Sequence, residues 1–212
     1  MTEGNLIVNP LSGEEIVVLR SAADTGGQVL DWELRLAPGG RVPSSHAHPE
    51  QQETFTVVEG TMRFRVGWRR IIAGPGQRVL VPPGTVHHFA NAGLATARVA
   101  VESRPALRME ELLETAAALA QDQHAAGRAL PRPLDLALFM TEFEREVAAP
   151  FLPRALVRLV MRALARAARG LGLDATYRRL RERQVARTGQ PRATWHTSGA
   201  TRQVSGTASA RN

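Results

Sequence analysis

The chain changes its hydrophobic period once, near residue 105, and that switch limits what it can fold into. Before it, Trp32, Leu34 and Leu36 alternate with Glu33 and Arg35. Met62, Phe64 and Val66 alternate with Arg63 and Arg65, and Ala97, Val99 and Val101 with Arg98 and Glu102. Ile16-Val17-Val18-Leu19 is a β-rich run, and Val79 and Val81 precede Pro82-Pro83-Gly84. A period of two sends one set of side chains inward and the charged set outward. Gly26-Gly27, Gly39-Gly40, Gly74-Pro75-Gly76 and Asn91-Ala92-Gly93 supply turns between the runs. Short strands with glycine turns predict an antiparallel sandwich or barrel over residues 1–104.

After the switch the period is helical. Leu107 to Ala126 is rich in Ala, Leu and Glu and stops at Gly127; Leu134 to Val147 reads as a second helix. A third opens at Pro150, runs to about Ala168 and stops at Gly170, and Asp174 can cap a fourth to about Ala186. The segment 105–187 is therefore expected to be all helical. The Ser/Thr/Gly/Ala-rich stretch 188–212 has few large apolar residues and is expected to be a disordered tail.

Composition narrows the chemistry. The 212 residues include no cysteine, which excludes disulfides, thiolate metal sites and catalytic thiols. All 27 basic residues are arginine, so Schiff-base lysine chemistry is excluded too. Residues 1–149 hold 14 arginines against 18 acids, and residues 150–212 hold 13 against 2. The high pI thus describes the C-terminal part, and no nucleic-acid partner is expected. No apolar run approaches the about 20 residues that span a bilayer, and the first residues have no leader pattern. A cytoplasmic protein is the expectation.

The histidines carry the chemistry. His46 and His48 are two apart and share a face on an extended strand, Glu53 follows, and His87 comes after the Pro82-Pro83-Gly84 turn. Imidazole nitrogen and carboxylate oxygen suit a first-row divalent metal. Two spaced patterns contain them: Gly40, His46, His48, Glu53 and Gly60, then Gly76, Pro82, Gly84, His87 and Asn91. Gly40, Gly60, Gly76 and Gly84 suit chain reversals that need positive φ or close approach.

All ten positions resemble the two motifs of the cupin superfamily, with a short gap of residues 61–75 between them. The resemblance covers about residues 25–103. It implies a mainly β chain built on an antiparallel double-stranded β-helix, the jelly-roll or cupin barrel, followed by an all-α C-terminal segment. It also implies that His46, His48, Glu53 and His87 hold one divalent transition metal per chain, Fe, Mn, Ni, Cu or Zn. The stretches His48-Pro49-Glu50-Gln51-Gln52-Glu53 and Glu102-Ser103-Arg104-Pro105-Ala106-Leu107 resemble, more loosely, single-cupin proteins with appended helices. His88, next to His87, faces away on a strand, and His124 and His196 read as solvated.

If Glu53 points inward, Phe55 and Val57 follow it, and Phe89 is in register with His87. With Trp32, Leu34, Met62 and Phe64 they form an apolar face that either fills the barrel or lines its mouth. As a substrate pocket, Trp32, Leu34, Phe55, Met62, Phe64 and Phe89 favour a hydrophobic or aromatic small molecule. A metal-dependent oxygenase, a dioxygenase-like oxidoreductase, is the leading reading. A Lewis-acid cyclase or isomerase of polyketide type and a non-catalytic small-molecule-binding protein are the alternatives. The absence of cysteine disfavours the thiol oxidases of the fold. A homodimer is expected, because open sheet edges need covering.

Arg154, Arg158, Arg162 and Arg166 recur every four residues on the third helix, with Leu152, Leu156, Leu159, Val160, Ala163, Leu164 and Ala167 filling the rest. Such a basic amphipathic helix over 151–169 can contact an anionic membrane or pack within the protein. Packing is the preferred reading, with Glu110, Glu111, Glu114, Glu142, Glu144 and Glu146 available to receive the charges.

Overall fold

The computed structural model describes residues 6–42, 44–128, 130–150 and 153–188. Within them lie nine strands: β1 Leu6–Asn9, β2 Glu14–Arg20, β3 Leu30–Leu36, β4 Gln52–Glu59, β5 Met62–Val66, β6 Arg69–Ala73, β7 Arg78–Val81, β8 His87–Asn91 and β9 Ala97–Arg104. Four helices follow: α1 Met109–Ala125, α2 Pro133–Glu142, α3 Arg154–Gly170 and α4 Leu173–Thr188. The strands form a six-stranded sheet in the order β1-β2-β3-β9-β4-β7 and a three-stranded sheet β6-β5-β8, all pairs antiparallel.

The alternation in the sequence sets both sheet faces. Along β3 and β9 every second residue is buried, and the pairs Trp32–Val101, Leu34–Val99 and Leu36–Ala97 stand opposite each other. The intervening residues form the outer face, where Arg35 and Arg98 pair with Glu33 at 2.8 and 3.5 Å. The core lies between the sheets: Phe55 and Val57 of β4 meet Met62 and Phe64 of β5 and Phe89 of β8. Phe55 lies 5.3 Å from Phe64 and 5.4 Å from Phe89, ring centre to ring centre, in tilted contacts.

Two motif glycines show why no side chain fits. At Gly40 a Cβ would lie 2.8 Å from the Ala37 carbonyl and from Leu36 Cδ1. At Gly60 φ is +82° and a Cβ would meet Ala97 Cα at 2.9 Å. Asn91 is also structural: its buried amide donates to the carbonyls of Leu36, Ala37 and Ala95 and accepts from Gly93 N–H. Pro82 lies just past the end of β7, where no ladder donor is needed.

The helices join the same core. Met109, Leu112 and Ala117 of α1, with Phe143, pack into the cluster between the sheets. On the edge strand β1, Gln121 of α1 donates to the Val8 carbonyl at 2.8 Å, so that edge is partly covered. A second cluster joins Ala137 and Leu138 of α2, Ala165 and Ala168 of α3 and Tyr177 of α4.

Four readings of the helical region change. The second helix ends at Glu142 and not at Val147, because the chain turns out to pair with Ala47: Ala148 N–H donates to the Ala47 carbonyl at 2.8 Å and Ala47 N–H to Ala148 at 3.2 Å. α3 starts at Arg154 rather than Pro150. Asp174 sits inside the first turn of α4, paired with Arg178 at 3.0 Å, rather than capping it. The apolar residues of α3 divide: Met161, Leu164, Ala165 and Ala168 pack inward, while Leu156, Leu159 and Val160 are exposed. Glu144 receives Arg158 and Arg162 at 3.5 and 3.0 Å, as the neighbouring acids suggested. Leu152, His196 and the expected tail beyond Thr188 lie outside the described residues.

Candidate metal centre

Three elements bring the histidines together. His46 precedes β4 and pairs across an isolated antiparallel bridge with His87, the first residue of β8: His46 N–H donates to the His87 carbonyl at 3.1 Å, and His87 N–H to that of His46 at 2.8 Å. His48, two residues on, returns to the same side. The ring centroids lie 4.9 Å apart for His46–His48, 4.5 Å for His46–His87 and 5.3 Å for His48–His87. One ligand atom from each of the three histidines lies within 4.8 Å of the others, so the group could hold a metal ion. Glu53, in β4, points the same way, its Oε2 3.3 Å from His48 Nε2 and 3.1 Å from His87 Nε2.

The outer nitrogens decide what the inner ones offer. Nδ1 of His46 faces the Ser44 carbonyl at 3.1 Å, Nδ1 of His48 the Glu146 carbonyl at 2.5 Å, and Nδ1 of His87 the Thr85 carbonyl at 3.2 Å. A carbonyl only accepts, so each Nδ1 carries the proton and each neutral ring keeps its lone pair on Nε2. Three lone pairs and a carboxylate therefore converge, and in that tautomer no donor stands among them. A cation satisfies such a cluster. His87 Nε2 points the same way: it is fully buried and has no hydrogen-bond partner, because its lone pair and the Glu53 oxygen beside it are both acceptors.

Electrostatics fit this donor set. Burial, then the neighbouring His48 and His87, push His46 down to about 3, so its ring is neutral at ordinary pH even though part of it reaches the surface. Burial opposes ionisation of Glu53, but the imidazoles of His48 and His87 outweigh it and hold the carboxyl well below its usual range. Burial lowers His48, and the Glu53 carboxylate reverses that into a net rise. The carboxylate thus attracts positive charge into the cluster, as a proton or as a metal ion.

A second layer orients Glu53. Ser103 Oγ on β9 lies 3.4 Å from Glu53 Oε1, and Trp32 Nε1 donates to that same hydroxyl at 3.4 Å. Below the cluster Phe55 lies 6.2 Å from the His87 ring, with Phe64 and Phe89 behind it. All six apolar residues singled out as a pocket, Trp32, Leu34, Phe55, Met62, Phe64 and Phe89, are buried in the core. An open cleft of about 310 Å³ lies elsewhere, between the Pro49–Glu50 segment and α2 and α3, lined by Val147, Ala148, Arg154 and Met161 among others. His88 turns away from the cluster, with Nδ1 3.4 Å from Ser45 Oγ, and His124 is exposed.

Ala148 had no role in the sequence reading, and Glu146 had none at the metal site. The Glu146 carbonyl holds His48 from 98 positions away, and its own carboxylate accepts the Arg108 N–H at 3.2 Å. Only its place among the acids near the second helix marked it. Gln51 ties the two stretches singled out for their likeness: its buried side chain donates to the carbonyls of Pro105 and Ala106, each at 2.9 Å.

No curated protein matches the chain. Among solved structures, a predicted oxalate decarboxylase from Thermotoga maritima is 20% identical, with 49% of this chain and 92% of that one covered and a TM-score of 0.44. The polyketide cyclase RemF from Streptomyces resistomycificus is 24% identical, covering 49% and 70% with a TM-score of 0.39. A sugar phosphate isomerase from Silicibacter pomeroyi is 27% identical, covering 43% and 59% with a TM-score of 0.39. The cupin domain family model matches residues 32–101, a span that contains all ten motif positions. The β-region of this chain has a cupin-like fold, and the C-terminal helices lie outside the matched span.

Proposed function

We propose that His46, His48, His87 and Glu53 hold one divalent transition metal, and that the chain is an oxygenase acting on a hydrophobic or aromatic small molecule. The carrying observation is the contrast between the cluster and what surrounds it. Three imidazoles that could hold a metal lie together with the Glu53 carboxylate beside two of them, while the side chains beneath them, Phe55, Phe64 and Phe89, are apolar and offer no acid or base. A reaction run by side-chain proton transfer needs further titratable groups within reach of the substrate. A redox-active metal bound there supplies the oxygen and electron chemistry. The protein's part is to keep the three Nε2 lone pairs inward through carbonyl contacts at Nδ1, to fix Glu53 through Ser103, and to exclude water with the phenylalanines.

The second reading is a Lewis-acid cyclase or isomerase, favoured by the negative carboxylate and neutral imidazoles, which hold a non-redox ion equally well. Oxygen uptake by the metal-loaded protein with a panel of aromatic and apolar small molecules separates the two. The proposal expects product formation to stop in oxygen-free buffer. Conversion that persists there contradicts it and supports the cyclase or isomerase.

A further inference from the structure

We infer that the outer face of α3 is a docking surface for an anionic lipid bilayer, independently of the metal centre. The helix has three faces. One packs inward through Met161, Leu164, Ala165 and Ala168. On the opposite side Leu156, Leu159 and Val160 are 52%, 68% and 44% exposed. Exposed Ala163 and Ala167 continue that stripe at three- and four-residue spacing, so it forms one band along the helix. Between the two apolar faces runs the arginine row. From Arg154 to Gly170 the helix carries five arginines and no acid. Glu144 holds Arg158 and Arg162, and Arg154, Arg166 and Arg169 make no ion pair among the described residues.

An apolar band beside exposed cations is complementary to acyl chains under negative headgroups. Other occupants fit the charge worse. A second copy laid on the same band would bring a second arginine row alongside the first. The chain's own residues 189–212 hold three arginines and no acid, so they repeat the charge they would have to neutralise. No helix among the described residues is long and apolar enough to cross a membrane, so α3 would lie on the surface.

Sedimentation of the full chain with vesicles tests this. Vesicles of phosphatidylglycerol and phosphatidylcholine should carry the protein down, and pure phosphatidylcholine should not. Retention should fall as salt rises. Replacing Leu159 and Val160 together by Glu should weaken binding at least ~10-fold, and Arg166→Ser with Arg169→Ser about fivefold per arginine. All four side chains are exposed, so circular dichroism should not change; if the glutamate pair fails to fold, the arginine pair decides. Binding absent at low salt, indifferent to headgroup charge, or unchanged in the folded variants overturns the inference. So does a dimer that the glutamate pair converts to monomer, since a second copy would then cover the face.

Discussion

The β3–β9 pair and α3 are both amphipathic, yet they use their apolar residues differently. Every inward position on β3 and β9 is buried, from Leu30 to Ser103, while α3 buries only Ala165 and Ala168. A strand in a two-sheet core has one inner face and no choice about where its alternating set goes. A helix on the rim of the molecule has a full turn of directions, and neighbours cover only one of them. The helical region is joined by charge as well as by its small apolar cluster: Glu142 accepts from Arg108, Arg181 and Tyr177, Glu111 pairs with Arg108 and Arg181, and Glu144 with Arg158 and Arg162. The guanidinium groups of Arg108 and Arg181 also lie over the Phe143 ring, at 5.1 and 5.8 Å.

The sharpest separation of the two regions comes from the core itself. Phe64→Ala removes a fully buried ring between the sheets and should cost about 3–5 kcal/mol, read by denaturant unfolding. Leu159→Ala on α3 should stay within about 0.5 kcal/mol. Equal losses at the two sites would mean that α3 and the strands are buried alike.

Truncation probes the same difference at the level of whole elements. A chain ending at Ala149 loses α3 and α4 and uncovers Ala137 and Leu138 of α2. It should aggregate on purification. A monodisperse truncated chain with native strand content would show that the helices add no needed cover.

Next in size is a pH effect seated at the β1–β2 turn. Burial pushes Glu14 up to about 7, offset only in part by hydrogen bonds from Ser12 at 2.5 Å and Asn9 at 3.4 Å. Its folded value lies above the ordinary 4.5, so folding favours the protonated acid. That stabilisation is full below about pH 4.5 and is lost as pH rises through about 7. Glu14→Gln should flatten this dependence and raise stability above pH 7 by up to about 3 kcal/mol. Thermal melts of both proteins from pH 4 to 9 check it, and parallel curves would contradict it.

How much of this was legible in the sequence differs along the chain for physical reasons. His46, His48, Glu53, His87 and Asn91 could be singled out because their spacing from glycine and proline turns resembles the two cupin motifs. The alternation of β3 and β9 showed their inner faces directly. The early end of α2 could not be read: Phe143 to Val147 suits a helix locally, and only the bridge from Ala148 to Ala47 draws the chain out of it. The Glu146 carbonyl that holds His48 has no side-chain signature at all, since any residue supplies a backbone oxygen. On α3 the amphipathic pattern was plain, but the sequence did not show that neighbours would cover only part of its apolar surface.

Metal content tests most directly whether the His46, His48, His87 and Glu53 cluster holds a metal. Elemental analysis of protein purified without an affinity tag should find about one transition metal per chain. His46→Ala, His48→Ala and His87→Ala should each abolish tight binding, whereas His88→Ala, outside the cluster, should stay within the ~10–100-fold range of outer-layer changes or below it. Less than about a tenth of an equivalent, even after refolding with excess metal, or equal damage from His88→Ala and His87→Ala, would contradict the account.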